Sequence, residues 1–324
     1  MKAAVVGEGG IEILDIPAPR PKPNEVLVRV RAAALNRADL GVAAGHRHGA
    51  LGGAGTVIGL EWSGEVAEVG AEVTSIKPGD RVMCSGAGGY AEYAVTDWGR
   101  VMPMPHAMSF EEAASLPVAL QTMHDALVTN GRLTASESVL IQGASSGVGL
   151  MGLEIAKLKG AGLVIGSSTN GARRARLREF GADLAIDSGD PAWPEAVRDA
   201  TGGKGVDLIV DQVSASVANQ NMTAAAIKGR IVNVGRLGGT KGTFDFDLHA
   251  LKRIHYIGVT FRTRSLEEVR EITRRLKADL WSAVEARKLR LPIDRSFPLD
   301  EVAAAHAYMR ANQHFGKILL IPAG

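Results

Sequence analysis

One stretch of the sequence combines residue types and spacing that suit phosphate binding. The apolar run Val139-Leu-Ile141 is followed by a turn of small residues, Gly143-Ala-Ser-Ser-Gly-Val-Gly149, and then by an amphipathic run over residues 150–158. This order predicts a strand, a tight turn and a helix, in which glycines let the backbone approach a pyrophosphate and the first helical amides attract the anion. The spacing is not a strict G-x-G-x-x-G, and a glycine turn before a helix is more often an ordinary loop. The elements around the turn must therefore distinguish a phosphate-binding turn from an ordinary loop.

The elements after this turn favour a dinucleotide site. Apolar runs of strand length alternate with runs of helical length, and each helical run is soon followed by a glycine. Such alternation is typical of an α/β fold with a doubly wound parallel sheet, here a six-stranded Rossmann domain. A doubly wound domain that binds another ligand is the alternative. The further strand-like runs are 163–166, 184–186, 206–210, 230–234 and 255–260, and the helix-like runs are 172–180, 193–200 and 216–227.

The 324 residues exceed one such domain, so a second domain is expected before residue 120 or so. Short β-branched segments broken by Pro and Gly are typical of a β-barrel. The glycine-rich stretch 45–59 is expected to be a surface loop, either a linker or a substrate lid. The apolar run 317–321 has no free place in a six-stranded sheet and is assigned to the first domain. The strand-like segments of that domain are 2–6, 11–16, 25–34, 62–69, 81–85 and 91–95.

Helix signals place the domain boundary near residue 120. Ser109-Phe-Glu-Glu112 is a capping box that opens a short helix, and Pro117 is expected to end it. Ser265-Leu-Glu-Glu268 is a second capping box, and Asp300 is expected to cap a last helix that reaches about Met309. The predicted core face of the helix after the second box consists of Leu266, Val269, Ile272, Leu276 and Leu280.

Composition excludes several classes of protein. The net charge is +2 with interspersed signs, so the sequence offers no field that seeks nucleic acid. The single cysteine, Cys84, excludes an intrachain disulfide or a cysteine-based metal cluster and suits a reducing compartment. The start of the chain lacks a signal-peptide core, and no run approaches the roughly eighteen apolar residues of a membrane span. We expect a soluble, cytoplasmic protein with no membrane partner.

The region beyond the turn predicts the type of cofactor. NAD-dependent enzymes place an acidic residue about 20 positions after the turn, where it holds the ribose hydroxyls. Here that region reads Ser167-Ser-Thr-Asn170, followed by Arg173-Arg-Ala-Arg176. Guanidinium groups form short, charge-assisted bonds to phosphate oxygens, which suits the 2′-phosphate of NADPH. Arg173 is nearest the strand end and is the predicted ligand, whereas other arginines here solvate a helix face.

Further segments, in this order along the chain, carry a family resemblance. They are Ala34-Leu-Asn-Arg-Ala-Asp39, Gly59-Leu-Glu-Trp-Ser-Gly-Glu-Val66, Val73-Thr-Ser-Ile-Lys-Pro-Gly-Asp-Arg-Val82, Gly88-Gly-Tyr-Ala-Glu-Tyr93, Glu112-Ala-Ala-Ser-Leu-Pro117, Gly202-Gly-Lys-Gly-Val-Asp207 and Gly316-Lys317. With the 143–149 turn, they resemble the zinc-independent quinone oxidoreductase (zeta-crystallin-like) branch of the medium-chain dehydrogenase/reductase superfamily. The resemblance covers essentially the whole chain. It implies a GroES-like catalytic domain formed by residues 1–120 and 262–324, a Rossmann NADPH-binding domain over 121–261, and a catalytic cleft between them.

The resemblance also implies roles for individual residues. Asn36 and Thr122 would be the catalytic residues beside the nicotinamide, although Asn36 could instead satisfy a buried turn and Thr122 could cap a helix. Gly235 could simply end a strand. The implied cofactor-binding residues are Asn36 and Thr122, then Ser146, Gly147 and Val148 at the pyrophosphate, Ser167, Ser168 and Arg173 at the adenosine ribose phosphate, and Val234, Gly235, Thr260, Phe261 and Arg262 at the nicotinamide carboxamide.

The positions of the zinc ligands in relatives are occupied by other residue types. Zinc-dependent relatives have Cys where Asn36 stands and His where Leu60 stands, and their structural zinc needs four cysteines. Zinc binds Cys, His or carboxylate donors in a tetrahedral array, which these residues do not offer. We therefore expect no bound metal. Many relatives also have Tyr where this chain has Gly41, and Tyr near the adenosine phosphate where it has Ser188, which leaves fine specificity open.

These observations predict an NADPH-dependent oxidoreductase that transfers hydride to quinones or α,β-unsaturated carbonyl compounds without a metal. A non-catalytic NADPH-binding, redox-sensing or structural protein of the same fold is the alternative. A short-chain dehydrogenase would need Tyr-x-x-x-Lys, and none of the four tyrosines, at positions 90, 93, 256 and 308, has Lys at that spacing. Because the strand 255–260 is apolar with no later strand to cover it, and because the family implies it, we also expect a homodimer through that strand.

Overall fold

The computed structural model describes residues 1–49 and 52–323, and the chain divides into two compact units. The first unit contains Met1–Val118 and Phe261–Gly324, and the second contains Ala119–Thr260. Ala50 and Leu51, in the centre of the predicted loop 45–59, lie outside the described residues, as does Gly324 at the end of the predicted first domain.

The secondary-structure elements are numbered in chain order. The strands are β1 (Lys2–Gly7), β2 (Gly10–Asp15), β3 (Glu25–Ala34), β4 (Glu61–Val69), β5 (Arg81–Ser85), β6 (Tyr93–Asp97), β7 (Val101–Pro103), β8 (Ser138–Gln142), β9 (Leu163–Ser167), β10 (Leu184–Ile186), β11 (Val206–Asp211), β12 (Ala225–Asn233), β13 (His255–Gly258), β14 (Ile293–Pro298) and β15 (Lys317–Ile321). The α-helices are α1 (Arg37–Ala43), α2 (Phe110–Ala114), α3 (Pro117–His124), α4 (Gly147–Leu158), α5 (Gly171–Ala175), α6 (Trp193–Ala200), α7 (Ala218–Ala224), α8 (Phe246–Lys252), α9 (Leu266–Glu285) and α10 (Val302–Arg310). Short 3-10 helices lie at Trp98–Arg100, Leu177–Phe180, Ala215–Val217 and Leu299–Glu301, and a π-helix lies at Asp125–Asn130.

The first unit is built on a sheet with the strand order β14-β15-β3-β4-β5-β7. The long strand β3 is its centre, because β4 pairs along one edge while β6 and β15 pair with the two ends of the other edge. Trp62 of β4, Val28 of β3 and Leu320 of β15 belong to one buried core, to which α10 also contributes Ala305. Both chain ends therefore build this GroES-like domain, and the prediction that 317–321 belongs to it is confirmed.

The second unit is a parallel sheet of six strands in the order β10-β9-β8-β11-β12-β13. The chain enters at β8, runs outward to β10 and returns to β11 on the other side of β8. The order therefore reverses between β8 and β11, and this reversal is where doubly wound sheets bind their ligands. Ile141, Ile209 and Val232 are fully buried because helices cover both faces of such a sheet. The predicted Rossmann architecture is confirmed.

Several local predictions were wrong, most clearly the helix expected over residues 216–227. Helix α7 ends at Ala224, and Ala225 already pairs with Val206 of β11, so that Gly229 lies inside β12 and does not end a helix. The alanine-rich segment has helical propensity, but pairing in the sheet overrides it. The helix predicted over 172–180 is likewise interrupted at Arg176, where α5 gives way to a 3-10 turn.

Further differences concern helix boundaries, strand ends and one residue of a predicted core face. Pro117 does not end a helix but begins α3, since proline at the first helical position loses no hydrogen bond. Asp300 does not cap α10, and its carboxylate instead accepts a hydrogen bond from Lys2 Nζ at 3.0 Å. Leu266 is 36% exposed, whereas the other four predicted core residues of α9 are buried. The strand predicted over 91–95 lies at Tyr93–Asp97, and β13 ends at Gly258.

The strand β14 was not predicted because it carries no apolar pattern. Its residues Asp294, Arg295 and Ser296 are exposed, and only Phe297 is buried. It is held by parallel pairing with β15, a contact that sequence periodicity does not encode. Among the helices of residues 1–49 and 52–323, none has the length and apolar character needed to cross a bilayer.

Candidate active site

The predicted phosphate turn lies between β8 and α4, at the point where the strand order of the second unit reverses. Gly143 has a φ of 71°, a left-handed conformation that favours glycine. A Cβ on Gly149 would lie 2.6 Å from Ala144 Cα, so only glycine allows the helix to approach the turn this closely. Ser146 caps the N-terminus of α4, and its Oγ accepts a hydrogen bond from Gly149 N–H at 3.0 Å. The glycines thus have the roles that a dinucleotide turn requires.

Ser167 shapes this turn from the neighbouring strand. Its hydroxyl accepts a hydrogen bond from Gly143 N–H at 3.0 Å and donates one to Gln142 Oε1 at 2.5 Å. Ser167 and Gln142 are fully buried. The hydroxyl of Ser167 is therefore bonded within the protein, and Gly143 N–H is paired with it.

Gln212 joins the ends of β8 and β11 to the start of α4. Its Nε2 donates to the carbonyl of Gln142 at 3.1 Å, and its Oε1 accepts from Ser146 Oγ at 3.1 Å. Gly235 packs against it, since a Cβ on Gly235 would lie 2.4 Å from the Gln212 carbonyl oxygen. Gln212 therefore brings the predicted residues Ser146 and Gly235 to one edge of the sheet. Sequence reasoning missed it, although an amide directly after a buried strand at the switch point was an available signal.

A buried carboxylate supports the same edge. Asp211 Oδ1 accepts hydrogen bonds from Val213 N–H and Ser214 N–H, and Oδ2 accepts from Asn221 Nδ2 at 2.9 Å. Burial raises the pKa of Asp211, although these hydrogen bonds act in the opposite direction. The Asp211 carbonyl also accepts hydrogen bonds from the N–H groups of Val234 and Gly235. Val234 and Gly235, two of the predicted carboxamide contacts, are thus held by hydrogen bonds to Asp211.

At the end of β9 the structure places a second arginine beside the predicted one. Arg174 Nη1 donates to the Ser168 carbonyl at 2.9 Å and forms an ion pair with Asp187 Oδ2 at 2.9 Å. Ser168 Oγ also lies 3.1 Å from Ser145 Oγ. Arg173 is half-buried in α5, and its N–H donates to Asn170 Oδ1. The guanidinium group of Arg174 therefore lies at the end of β9, and Arg173 precedes it in α5.

The other predicted residues are divided between the two units. Thr122 is half-buried in α3, and Thr260 is the last residue of the second unit. Asn36, Phe261 and Arg262 belong to the first unit.

In the first unit, Asn36 sits in a buried cluster with two charged residues. Its Nδ2 donates to Glu61 Oε1 at 2.9 Å, and its Oδ1 accepts from Lys317 Nζ at 3.1 Å. Lys317 Nζ also forms a short ion pair with Glu61 Oε1. Sequence reasoning missed Glu61 and Lys317. The available signal was a charged residue at the start of an apolar strand segment in both places.

Two family profiles match the chain. The one described as "Alcohol dehydrogenase GroES-like domain" matches residues 22–106, and the one described as "Zinc-binding dehydrogenase" matches residues 147–278. The solved structure of a probable oxidoreductase from Mycobacterium abscessus is 31% identical, covers 99% of each chain and has a TM-score of 0.87. The chain belongs to the medium-chain dehydrogenase/reductase superfamily. 

Relatives within this superfamily differ in size and activity. Human quinone oxidoreductase is 29% identical over 99% of this chain and 98% of its own length, in line with the predicted branch. A structure named as an NAD-dependent alcohol dehydrogenase is 30% identical over 100% of both chains, with a TM-score of 0.84. Highly-reducing polyketide synthase 1 of Aureobasidium melanogenum is 28% identical over 99% of this chain, which spans 15% of that protein.

Zinc, which one superfamily profile names, does not fit the residues at the expected ligand positions. The Asn36 amide is bonded to Glu61 and to the Lys317 ammonium group, a cation that would repel a metal ion beside it. Leu60 offers no donor atom. Among residues 1–49 and 52–323, no group of three or more His, Cys, Asp or Glu side chains is arranged to hold a metal ion.

Asp39 lies beside Asn36 in the first unit, and its carboxyl group makes the stability of the fold depend on pH. Its Oδ2 accepts hydrogen bonds from Asn36 N–H at 2.7 Å and from Tyr90 OH at 2.8 Å. Burial raises the pKa of its carboxyl group from 3.8 to about 7, although both hydrogen bonds and the charge of Lys317 lower it. Between pH 3.8 and about 7, the carboxyl group of Asp39 is therefore protonated in the folded state and ionised in the unfolded state. The stability that this proton provides is present at low pH and is lost as the pH rises towards 7.

We predict that Asp39→Asn removes this pH dependence. Asparagine keeps the shape and acceptor oxygen but stays neutral, so its stability relative to wild type should increase between about pH 5 and about pH 8, by an amount on the order of 1–3 kcal/mol. Urea unfolding midpoints of both proteins at the two pH values measure the change. Asp80→Asn, at an exposed turn, is the control. A stability difference that is the same at both pH values would contradict the prediction.

Proposed function

We propose that the protein is an NADPH-dependent reductase that transfers hydride to an electrophilic carbon of a quinone or an α,β-unsaturated carbonyl compound, without a metal. The observation that carries this proposal is the Asn36 amide bonded to Glu61 and Lys317, at the position where zinc-dependent relatives have a ligand. Without a Lewis acid or a Tyr-Lys pair, strong stabilisation of an alkoxide is not available. Conjugated acceptors avoid that requirement, because the negative charge spreads over an enolate or hydroquinone anion.

The second unit fits a nicotinamide dinucleotide. The left-handed Gly143, the close approach of Gly149 and the N-terminus of α4 provide the features that hold a pyrophosphate at a switch point. Ser146, Gly147 and Val148 would lie against the pyrophosphate, and Val234 and Gly235 against the carboxamide together with Thr260, Phe261 and Arg262. The buried Ser167 would position the turn, and Ser168 would face the ribose phosphate.

The protein's part in the reaction is to bind, orient and polarise. When bound, reduced nicotinamide supplies the hydride. Asn36 Nδ2 and the Thr122 hydroxyl would donate hydrogen bonds to the acceptor's carbonyl oxygen, where the negative charge develops. Water would then protonate the enolate carbon. Backbone amides near the cofactor are further candidate donors.

We predict a difference between classes of acceptor. Small quinones, enones and enoyl thioesters should be reduced with NADPH, the thioesters being included because a polyketide synthase is a relative. Simple alcohols and ketones should give only trace turnover, since their alkoxides gain no stabilisation by conjugation. With deuterium-labelled NADPH, mass spectrometry should find the label on the β-carbon of an enone product. Robust acetone turnover or label on the carbonyl carbon would defeat the mechanism, and inertness towards every conjugated acceptor would favour a non-catalytic NADPH-binding protein.

We predict that NADPH is preferred over NADH through the arginines after β9. A charge-assisted hydrogen bond is worth about 1.5–3 kcal/mol, so Arg173→Ala should weaken NADPH binding roughly 10- to 150-fold and leave NADH nearly unchanged. Arg174→Ala tests the neighbouring guanidinium, and the exposed Arg178→Ala is the control. Fluorescence titration with both cofactors measures the effects. An equal loss of NADPH and NADH affinity in Arg173→Ala would assign that residue a structural role, and an NADPH-specific loss only in Arg174→Ala would transfer the role to Arg174.

We further propose a homodimer formed through β13. It is the last strand in its sheet, and no strand among the described residues pairs with its outer edge. The Phe244 ring lies 5.0 Å from the ring of Phe246 and 5.7 Å from that of Tyr256 in β13, and Phe246 is 76% exposed. An open edge strand beside an exposed aromatic ring favours association.

Light scattering at micromolar concentration should therefore give the mass of a dimer. Phe246→Ser should raise the dissociation constant, because an exposed ring that the interface buries contributes apolar area. Leu158→Ser, which replaces an exposed apolar residue at the end of α4, is the control and should leave the dimer intact. A wild-type monomer would contradict the proposal.

A further inference from the structure

Glu61 and Lys317 have no role of their own in the proposed reaction, yet both are buried against Asn36. The side chain of Glu61 is 0% exposed and that of Lys317 is 4% exposed. We propose that they are positioning residues, which fix the side-chain amide of Asn36 so that it offers an N–H, and not a carbonyl oxygen, to the substrate. This inference rests on the proposed function, in which Asn36 donates to the acceptor carbonyl.

The chemistry of the two partners determines which way the amide lies. A carboxylate can only accept hydrogen bonds and an ammonium group can only donate them. Asn36 Nδ2 faces Glu61 Oε1 at 2.9 Å and Asn36 Oδ1 faces Lys317 Nζ at 3.1 Å. Rotating the amide by half a turn would place oxygen against the carboxylate and N–H groups against the ammonium. Each contact therefore excludes the flipped amide.

An asparagine without such partners would not hold one orientation. The last torsion of the side chain is broad and nearly two-fold, so both amide orientations are populated unless contacts distinguish them. Asn36 caps the start of α1, where its backbone N–H donates to Asp39 Oδ2. Within the cluster, the shortest hydrogen bonds of its side-chain amide are those to Glu61 and Lys317.

Glu61 is itself held in place. Its Oε2 accepts a hydrogen bond from Val118 N–H at 2.8 Å, while Oε1 receives Asn36 and Lys317. A buried carboxylate with both oxygens bonded cannot turn away from Asn36 without leaving a donor unpaired. Glu61 comes from the start of β4 and Lys317 from the start of β15, so two strands of the sheet fix the amide.

For the reaction, the orientation of the Asn36 amide determines whether its N–H or its carbonyl oxygen faces the substrate. One N–H of Asn36 is used by Glu61, and the other has only a long contact of 3.5 Å with the Ala34 carbonyl. That second N–H is the group left for an acceptor carbonyl. A flipped amide would present oxygen to the carbonyl oxygen and would oppose the negative charge that develops there.

A double-mutant cycle tests the inference. Lys317→Met alone would leave Glu61 charged and unpaired in the interior, which endangers folding, so the test uses the neutral pair Glu61→Gln with Lys317→Met. We expect this pair to lower kcat for an enone or quinone about 10-fold or more and to change the KM for NADPH by less than about 2-fold. In an Asn36→Ala background the same pair should cause no further loss of kcat, because its effect acts through Asn36.

A second ion pair in the same unit provides the matched control. Arg270 Nη2 and Asp97 Oδ2 are 2.7 Å apart, with Asp97 6% and Arg270 21% exposed, and neither belongs to the cluster of Asn36. Asp97→Asn with Arg270→Met should lower the melting temperature and leave kcat unchanged. Lys317→Arg, which keeps a donor and a charge, should retain more activity than the neutral pair.

The outcomes separate two failures. If wild type reduces no conjugated acceptor, the proposed function and this inference both fail. If wild type is active but the neutral pair keeps its kcat, or lowers kcat by the same factor in the Asn36→Ala background, the positioning role alone is overturned. Circular dichroism and NADPH titration of each variant establish that it is folded.

Discussion

A buried charge must have a partner, and this constraint organises the first unit around Glu61 and Lys317. The two residues are far apart in the sequence, yet Lys317 Nζ bonds to Glu61 Oε1 inside the domain. Breaking such a pair by removing one partner costs about 3–5 kcal/mol, because it leaves an unpaired charge in a medium of low dielectric constant. The last strand of the chain is therefore bound to the sheet by its apolar residues and by this charge together. The Asn36 amide gains its orientation from the same pair.

In the second unit, hydroxyl and amide groups and one carboxylate, that of Asp211, satisfy one another in the interior. The carboxyl ends of its parallel strands bring polar side chains to one edge, where burial requires each of them to be hydrogen-bonded. Ser167 bonds Gln142, Gln142 Nε2 bonds Asn221 at 2.9 Å, and Asn221 bonds Asp211. This series of hydrogen bonds runs from β9 to β11 beside the predicted phosphate turn. The turn is consequently held by hydrogen bonds from the strands on both sides of the switch point.

In both units, a polar residue of the candidate site is hydrogen-bonded to further polar side chains. Ser146 is held by Gln212, and Asn36 by Glu61 and Lys317. In the proposed reaction, such support would preorganise donors where charge develops, which is the contribution a protein makes when a cofactor carries the hydride. Zinc does not fit the Asn36 cluster, and this is why the proposed acceptors are those whose charge is delocalised without a Lewis acid.

The sequence by itself determined the six parallel strands, the glycine turn and the return of residues 317–321 to the first domain, because buried strands and tight turns leave strong local patterns. The tertiary structure alone decided elements whose contacts are distant in sequence. The strand β14 has an exposed polar pattern and exists through its pairing with β15, and residues 225–229 are a strand because β11 lies beside them. The positions of Glu61, Lys317, Gln212 and Arg174 were likewise decided by the fold. A single charge or amide has no periodicity, and only folding shows which partner satisfies it.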